Sequence, residues 1–164
     1  IPVELNVDFL EGRDDWLGKY DHIVFTGPID AFFGHQLGHL EYRSLRFDHK
    51  LLDEPDYQGN AVFNHTEAEV PYNRTYEHKH FDLNYTKDQT AVTYEYPQQW
   101  KPGLIEIYPV HTEDNISILS GYKELIEKEA LPVTFGGRLG EYRYYDMHQV
   151  IAGALEKAKT LLAG

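Results

Sequence analysis

The chain has 164 residues, of which 41 % are apolar, enough to form one domain or one large domain with an excursion. Its formal net charge of −12 argues against binding to nucleic acid or to an anionic membrane surface, because both depend on Lys and Arg. The chain has no cysteine, which excludes disulfide and thiolate chemistry, and no apolar run approaches the length that spans a bilayer.

The first forty residues predict short elements of both kinds. A helix is predicted around residues 11–20, and the apolar run 22–26, closed by Gly27 and Pro28, predicts a buried strand. Residues 29–33 predict a helical turn that ends near Gly34.

The middle of the chain predicts an antiparallel sheet. Strand-like runs follow one another at intervals typical of hairpins: 40–47, 57–65, 72–79, 90–96 and 105–108. Gly59 is a candidate bulge, and Pro97 and Pro109 are expected to end the last two strands. About five or six strands should therefore cover residues 38–108.

The last third predicts a helix over 114–130, a short strand at 133–135 and a long C-terminal helix. Apolar residues recur in the last helix at helical spacing: Met147, Val150, Ile151, Ala154, Leu155, Ala158, Leu161 and Leu162. Asp146 fits an N-cap and Gln149 completes a capping-box pattern. The fold class is therefore α+β (mixed), an antiparallel sheet flanked by strands and helices.

The segment between the short strand and the last helix predicts an anion site. Gly136 and Gly137 allow a ligand to approach the backbone, and Arg138 adds positive charge. The following helix offers N–H groups and a positive dipole end. Such a turn usually belongs to a nucleotide or phosphate site, although the chain has no G-x-G-x-x-G, no P-loop and no G-x-S-x-G.

The strand-like run 72–80 carries a second constellation. Arg74, Tyr76, His78 and His80 are expected on one face of a strand, where Arg74 can clamp a diphosphate with its planar, permanently charged fork. The two histidines could bind a metal only with a third ligand, so we favour an exposed polar face and predict no metal site.

Two further residues each have a structural and a functional interpretation. Glu95 is either a carboxylate on the sheet face or a partner that orients Arg74. Tyr108, at the end of a strand, either packs or lies against a ligand.

Taken in order, these motifs resemble bacterial UDP-galactopyranose mutase. The matching stretches cover most of residues 22–155 at about the family's spacing: 25–30, 40–47, 58–64, 74–81, 95–97, 108–109 and 136–147. No single stretch is specific, but the ordered set is.

The resemblance implies a flavoprotein that interconverts UDP-galactopyranose and UDP-galactofuranose with no net redox change. Its FAD must be reduced, and the flavin N5 forms an adduct with the sugar as UDP departs. The resemblance also implies a cytoplasmic homodimer that supplies galactofuranose for cell-wall and other cell-surface glycans, with UDP-galactose as its partner.

The resemblance further implies roles for individual residues. Those on the substrate side are Asn64, Arg74, Tyr108, Tyr144 and Asp146, with Arg74 as the diphosphate clamp that also stabilises charge on the departing UDP. Those on the flavin side are Arg138, Asp146, Met147, His148 and Gln149. Arg43 and Glu95 match motif positions without a defined role.

The resemblance also implies a division into three segments. Residues 1–37 would be a partial FAD-domain strand and connector, 38–110 a substrate domain, and 111–164 the C-terminal part of a Rossmann-like FAD-binding domain. The family's Gly-rich fingerprint and its helical lid segment are not among these residues, which begin at Ile1 rather than a methionine. We therefore expect the C-terminal portion of a longer protein, a piece that by itself retains little or no FAD and is inactive.

Two alternatives stay open. A non-catalytic module could retain the fold and bind a sugar nucleotide or a partner. Another flavoenzyme, of amine-oxidase-like architecture, fits the turn at Arg138 but not the segment around Arg74.

Overall fold

A computed structural model describes residues 2–163 of the chain. In chain order its helices and strands are α1 (Arg13–Lys19), β1 (Ile23–Phe25), α2 (Ile29–Phe32), β2 (Tyr42–Leu52), β3 (Val62–Asn64), β4 (Arg74–Glu77), β5 (Thr90–Gln99), β6 (Tyr108–Pro109), α3 (Glu113–Glu129), β7 (Val133–Phe135), α4 (Gly137–Gly140) and α5 (Met147–Ala163). Short 3₁₀ turns cover Leu10–Gly12 and His78–Phe81.

The chain divides into two compact units. The sheet unit is Arg43–Ile107, and the second unit combines the residues up to 42 with those from 108 onward. Ile1 and Gly164, the outer ends of the predicted segments 1–37 and 111–164, lie outside the described residues. The boundaries of the three predicted segments, and their assignment to FAD and substrate domains, stay predictions.

A five-stranded sheet has the strand order β3-β4-β5-β2-β6. Its pairs β2–β5, β3–β4 and β4–β5 are antiparallel. The longest ladder joins Arg43–Leu52 to Thr90–Gln99 over ten residue pairs, so β2 and β5 form the backbone of the sheet. The predicted mixed fold with an antiparallel sheet of five or six strands is confirmed.

Both long strands run further than the sequence predicts. We expected β2 to end at Phe47 and β5 to end before Pro97, but β5 continues through Pro97, which pairs with Leu45. In a strand, alternate residues direct their backbone groups to the same side, and the Glu95 carbonyl accepts the N–H of Asn73, the residue just before β4. The backbone nitrogen of Pro97 therefore faces the β4 side of β5. Because the β4–β5 pairing ends at Arg74 and Glu95, β4 does not pair there and the missing N–H costs no hydrogen bond of that ladder.

Three predicted strands are shorter. The run 57–65 forms a strand only from Val62 to Asn64, and 105–108 is reduced to Tyr108–Pro109. At the first of these, the buried Glu77 carboxylate accepts the backbone N–H groups of Tyr57 (2.9 Å) and Gln58 (2.8 Å) and so holds that segment in a turn. Gly59, with φ of 70°, belongs to this turn rather than to a bulge. The run 72–79 stops at Glu77 and continues as a 3₁₀ turn.

The core of the second unit is built on a parallel pair of short strands, β1 and β7, in the register Ile23–Val133 to Phe25–Phe135. Aromatic rings cover this pair: Phe32 lies 5.1 Å from Phe25 and 5.0 Å from Phe135 between ring centroids. The adjoining α4 approaches so closely that a Cβ on Gly140 would lie 2.9 Å from the Phe25 carbonyl oxygen.

The buried carboxylate of Asp30 pins the segment that leads into β2. It accepts hydrogen bonds from the His35 ring at 3.1 Å, the Leu40 N–H at 3.0 Å and the Tyr42 hydroxyl at 3.1 Å. Asp30 is 1 % exposed, so removing its oxygens would leave buried donors unsatisfied. The motif 25–30 thus has a structural role that is visible in this chain.

Both long helices form where the sequence predicts them. Thr112 caps α3 by accepting the Asn115 N–H at 3.2 Å, and α3 buries Asn115, Leu119 and Tyr122. In contrast, α5 buries none of its residues: Met147, Ile151 and Leu155 are 85, 60 and 59 % exposed. Among residues 2–163, no helix is long and apolar enough to cross a bilayer.

Candidate functional site

Four polar residues of the sheet unit, which we call the arginine row, come from three neighbouring strands: Asn64, Arg74, Tyr76 and Glu95. Asn64 is the cross-strand partner of Arg74 in β3–β4, and Glu95 is the partner of Arg74 in β4–β5. Because alternate residues of a strand share a face, Tyr76 lies on the same side of the sheet as Arg74.

Hydrogen bonds link the four side chains in a chain of contacts. Arg74 donates from Nε to Asn64 Oδ1 at 2.8 Å and from Nη1 to the Tyr76 hydroxyl at 3.0 Å. The Tyr76 hydroxyl donates in turn to Glu95 Oε2 at 2.5 Å. The direct distance between Arg74 Nη1 and Glu95 Oε2 is 3.8 Å, an ion-pair separation rather than a hydrogen bond.

The row combines a buried anion with a more accessible cation. The Glu95 side chain is 6 % exposed, whereas that of Arg74 is 38 % exposed. Burial raises the pKa of the Tyr76 hydroxyl, the bond to Glu95 raises it further, and Arg74 opposes both. The Tyr76 hydroxyl is therefore neutral and acts as a hydrogen-bond donor. The Arg74 guanidinium is partly exposed to solvent, while its contacts with Asn64 and Tyr76 anchor it.

The expected pairing of Glu95 with Arg74 is present, but the residue that mediates it was missed. The sequence places Tyr76 two residues after Arg74 on the same face, but that spacing alone does not indicate that its hydroxyl bridges the ion pair. An R-x-Y pattern opposite a buried glutamate is the signal that could have found it.

His78 and His80 do not form the strand pair that the sequence predicted, because β4 ends at Glu77 and both lie in a 3₁₀ turn. His78 contacts Thr93 Oγ1 at 2.7 Å. His80 lies 3.3 Å from both Asp56 and Glu77, a grouping with metal-like spacing. Its carboxylates already have partners, since Asp56 holds Lys79 at 2.8 Å and Glu77 accepts backbone N–H groups.

In the second unit, three predicted residues form what we call the tyrosine cluster: Tyr108, Arg138 and Tyr144. The two tyrosine rings stack with centroids 5.3 Å apart, and the Arg138 guanidinium carbon lies 4.7 Å from the Tyr108 centroid and 5.3 Å from that of Tyr144. Arg138 also donates to the Tyr145 carbonyl at 2.5 Å. Tyr144 is 57 % exposed, so the cluster is open to solvent.

The segment that carries Tyr144 is anchored by its buried neighbour, Tyr142. Its hydroxyl donates to the Glu41 carbonyl at 2.5 Å and accepts the Val110 N–H at 3.2 Å. Burial raises the pKa of Tyr142 to about 12. Tyr142 has φ of 48°, a conformation that a bulky residue adopts only when its surroundings hold it there.

The remaining predicted flavin contacts lie at the start of α5. The Asp146 carbonyl accepts the N–H groups of Gln149 and Val150, and Gln149 Oε1 accepts the Asp146 N–H at 2.8 Å, which is the expected glutamine half of a capping box. Met147, His148 and Gln149 are all exposed. The first turn of a 17-residue helix is therefore accessible, with its dipole end towards solvent.

Arg43 is not part of the arginine row. It pairs with Gln99 in β2–β5, four residues along β2 from Phe47, the partner of Glu95. At the rise of a strand this is a distance of about 13 Å.

The order of these elements can be compared with known proteins. The family profile described as UDP-galactopyranose mutase matches residues 1–144 of the chain. The chain belongs to this family. The resemblance on which the sequence analysis relied is thereby confirmed.

Two relatives place the chain within the family. It is 40 % identical over 164 residues to a probable UDP-galactopyranose mutase of Klebsiella pneumoniae, covering 99 % of this chain and 41 % of that protein. It is 37 % identical over 145 residues to the dTDP-fucopyranose mutase of Escherichia coli, covering 88 and 38 %. The chain thus spans about two-fifths of the length of these relatives.

The fold has a counterpart among solved structures. A crystal structure of a reduced UDP-galactopyranose mutase superposes with a TM-score of 0.57 at 13 % identity, covering 76 % of this chain and 37 % of that one. At this identity the match shows a shared fold.

Proposed function

We propose that the chain is part of a flavin-dependent mutase that interconverts UDP-galactopyranose and UDP-galactofuranose and supplies galactofuranose for cell-surface glycans. The observation that carries the proposal is the arginine row, in a chain of this family. Arg74 is held by Asn64 and Tyr76 on a buried carboxylate and is 38 % exposed, as a residue that receives an anionic ligand must be.

In this proposal Arg74 binds the diphosphate of the sugar nucleotide. A guanidinium matches two phosphate oxygens with parallel N–H donors and keeps its charge at all physiological pH values. When the bond to the sugar breaks, negative charge grows on the departing UDP, and Arg74 stabilises that charge without moving. Asn64, beside it, would lie on the sugar side of the substrate, as the resemblance implies.

For the tyrosine cluster, the resemblance implies contacts to a diphosphate. Tyr108 and Tyr144 would donate their hydroxyls to phosphate oxygens, and the stacked rings give each hydroxyl a fixed direction. Asp146 would accept a hydrogen bond from the sugar. These roles follow the resemblance and rest on the exposure of Tyr144 and Asp146.

The groups at the start of α5 fit one end of a flavin nucleotide. The first-turn N–H groups and Arg138 suit its anionic part, and the exposed Met147 suits its apolar ring. Reduced FAD, when bound, supplies covalent catalysis through its N5. The Gly-rich segment that the family uses for the adenosine end is not among these 164 residues.

We further propose, as the resemblance implies, that the active enzyme is a cytoplasmic homodimer that acts on the free sugar nucleotide and binds neither nucleic acid nor membrane. The 164 residues by themselves should be inactive and should bind FAD weakly or not at all. Turnover by a yellow, reducible preparation of these residues alone would contradict that expectation.

The decisive experiment uses the complete gene product, reduced with dithionite and assayed for conversion of UDP-galactofuranose. Arg74→Ala should nearly abolish turnover while the bound flavin, measured by absorbance, stays at the wild-type level. Arg46→Ala is the matched control, because Arg46 lies in the same sheet, on the opposite face, with its guanidinium 3.9 Å from the Tyr96 ring. Wild-type turnover in the Arg74 variant would refute the proposed role.

A second substrate deserves a parallel assay, because the Escherichia coli relative is named for dTDP-fucopyranose. A higher kcat/KM for dTDP-fucofuranose than for UDP-galactofuranose would replace the substrate and keep the reaction class. Binding of either nucleotide without turnover would instead favour a non-catalytic binding module.

A further inference from the structure

The Tyr76 hydroxyl lies between the two charges of the arginine row and touches both. It is 3.0 Å from Arg74 Nη1 and 2.5 Å from Glu95 Oε2, while the two charged atoms are 3.8 Å apart. A phenolic hydroxyl has one proton to donate and lone pairs to accept with. The hydroxyl donates its proton to the Glu95 carboxylate, and its oxygen accepts a hydrogen bond from the Arg74 guanidinium.

This arrangement keeps the guanidinium off the carboxylate. Glu95 is almost fully buried, so its oxygen needs a donor, and the hydroxyl provides one. Without that donor, the guanidinium, 3.8 Å from the carboxylate, would move about 1 Å to form a direct bond with Glu95. A guanidinium in close contact with a carboxylate offers less of its charge to a second anion.

Two contacts fix the direction of the guanidinium. Asn64 holds Nε and Tyr76 holds Nη1, so the guanidinium is held at two of its three nitrogens. The anchors come from two different strands, and the register that aligns them is fixed by the β3–β4 and β4–β5 ladders. Loss of either anchor removes one of these two restraints on the orientation of the guanidinium.

We infer that Tyr76 is a positioning residue that holds Arg74 in the orientation in which it binds the diphosphate of a sugar nucleotide. The inference rests on the proposed function. Tyr76 acts only through Arg74 and makes no contact with the reacting atoms.

The test measures UDP binding to the complete gene product with its flavin, by isothermal titration calorimetry. Tyr76→Phe should weaken UDP binding about tenfold, the scale of one hydrogen bond to a charged group. Binding of uridine, which lacks the phosphates, should be unchanged. In an Arg74→Ala background, Tyr76→Phe should have no further effect, because there is no guanidinium left to position.

The matched control is Tyr57→Phe. Tyr57 belongs to the same unit, and its hydroxyl contacts that of Tyr94 at 3.0 Å on the opposite face of the sheet. This variant should bind UDP as the wild type does. Equal melting temperatures for the two phenylalanine variants would show that a loss of UDP binding does not come from unfolding. If Tyr76→Phe has a lower melting temperature, the second variant is Glu95→Gln, which weakens the same hydrogen bond and should reproduce the loss of UDP binding.

The outcomes distinguish the two levels of the proposal. Wild-type UDP affinity in Tyr76→Phe together with a large loss in Arg74→Ala would overturn the role of Tyr76 and leave the proposed function intact. Wild-type affinity in Arg74→Ala would overturn the diphosphate site itself. Equal losses for uridine and UDP in Tyr76→Phe would also overturn the inference, because a positioned guanidinium acts on phosphate alone.

Discussion

Replacing Tyr142 by phenylalanine should destabilise the chain by about 1–2 kcal/mol, the cost of one buried hydrogen bond whose acceptors stay behind. The Tyr142 side chain is fully buried, and its hydroxyl reaches the Glu41 carbonyl at 2.5 Å and the Val110 carbonyl at 2.9 Å. The loss is limited because the Val110 N–H keeps a bond to the Glu41 carbonyl at 3.0 Å. The ring, 5.3 Å from that of Tyr42, retains its packing.

The assay is urea unfolding followed by circular dichroism, with Tyr144→Phe as the control. Tyr144 is two residues away and 57 % exposed, so its change should stay within about 0.5 kcal/mol. In a thermal scan the Tyr142 variant should melt about 2–8 °C below the wild type.

The same residue predicts a pH dependence with a defined sign. A tyrosine ionises near pH 10 when unfolded, and burial raises the pKa of Tyr142 to about 12. Its contribution is therefore complete below pH 10 and falls by about 1 kcal/mol per unit between pH 10 and 12. The gap between wild type and Tyr142→Phe should narrow over this interval. An unchanged gap, or equal stabilities at pH 7, would refute the reasoning.

Three further changes test the packing and the buried carboxylates. Gly140→Ala should cost about 1–3 kcal/mol in urea unfolding, since its Cβ would meet the Phe25 carbonyl oxygen at 2.9 Å, whereas Gly18→Ala, with no atom within 4 Å, should be neutral or slightly stabilising. Although burial raises the pKa of Glu77, its hydrogen-bond donors hold that pKa below the ordinary range. The free energy of unfolding should therefore decrease as the pH drops below about 4.5, and this decrease should be smaller in Glu77→Gln. An equally steep decrease in the variant would contradict the role of Glu77. Asp30→Ala should cost about 3 kcal/mol at pH 7, because the buried Leu40 N–H and Tyr42 hydroxyl and the partly exposed His35 ring lose their acceptor. A loss below about 1 kcal/mol would show that water replaces the carboxylate.

The sequence predicted elements best where periodicity and local signals agreed. Gln149 of the predicted capping box stands at the start of α5, and alternation with turn residues located the sheet. The prediction failed at Pro97 because a proline ends a strand only when its missing N–H faces a neighbouring strand. The neighbour of β5 on that side is β4, whose first residue, Arg74, pairs with Glu95, so β4 does not reach Pro97. That fact depends on the register of a strand twenty residues earlier.

The candidate site was predictable in composition but not in connectivity. Arg74, Glu95 and Asn64 were named from motifs, whereas the hydroxyl that joins Arg74 to Glu95 depends on distances across β4 and β5. Likewise, Tyr108, Arg138 and Tyr144 were named separately, and only the structure shows their rings and guanidinium stacked in one cluster. The His78–His80 prediction failed because β4 ends at Glu77 and the chain continues through both histidines as a 3₁₀ turn.

The exposed apolar side of α5 has a consequence for handling the polypeptide. Met147 is 85 % and Leu162 89 % exposed, so the 17-residue helix α5 presents apolar surface to solvent on an acidic molecule. Attraction between these apolar surfaces on two molecules competes with the electrostatic repulsion between molecules that each carry a net charge of −12. Salt screens this repulsion. Purified material should therefore show a second virial coefficient that falls towards negative values as ionic strength rises, so that low salt is the condition for keeping it dispersed.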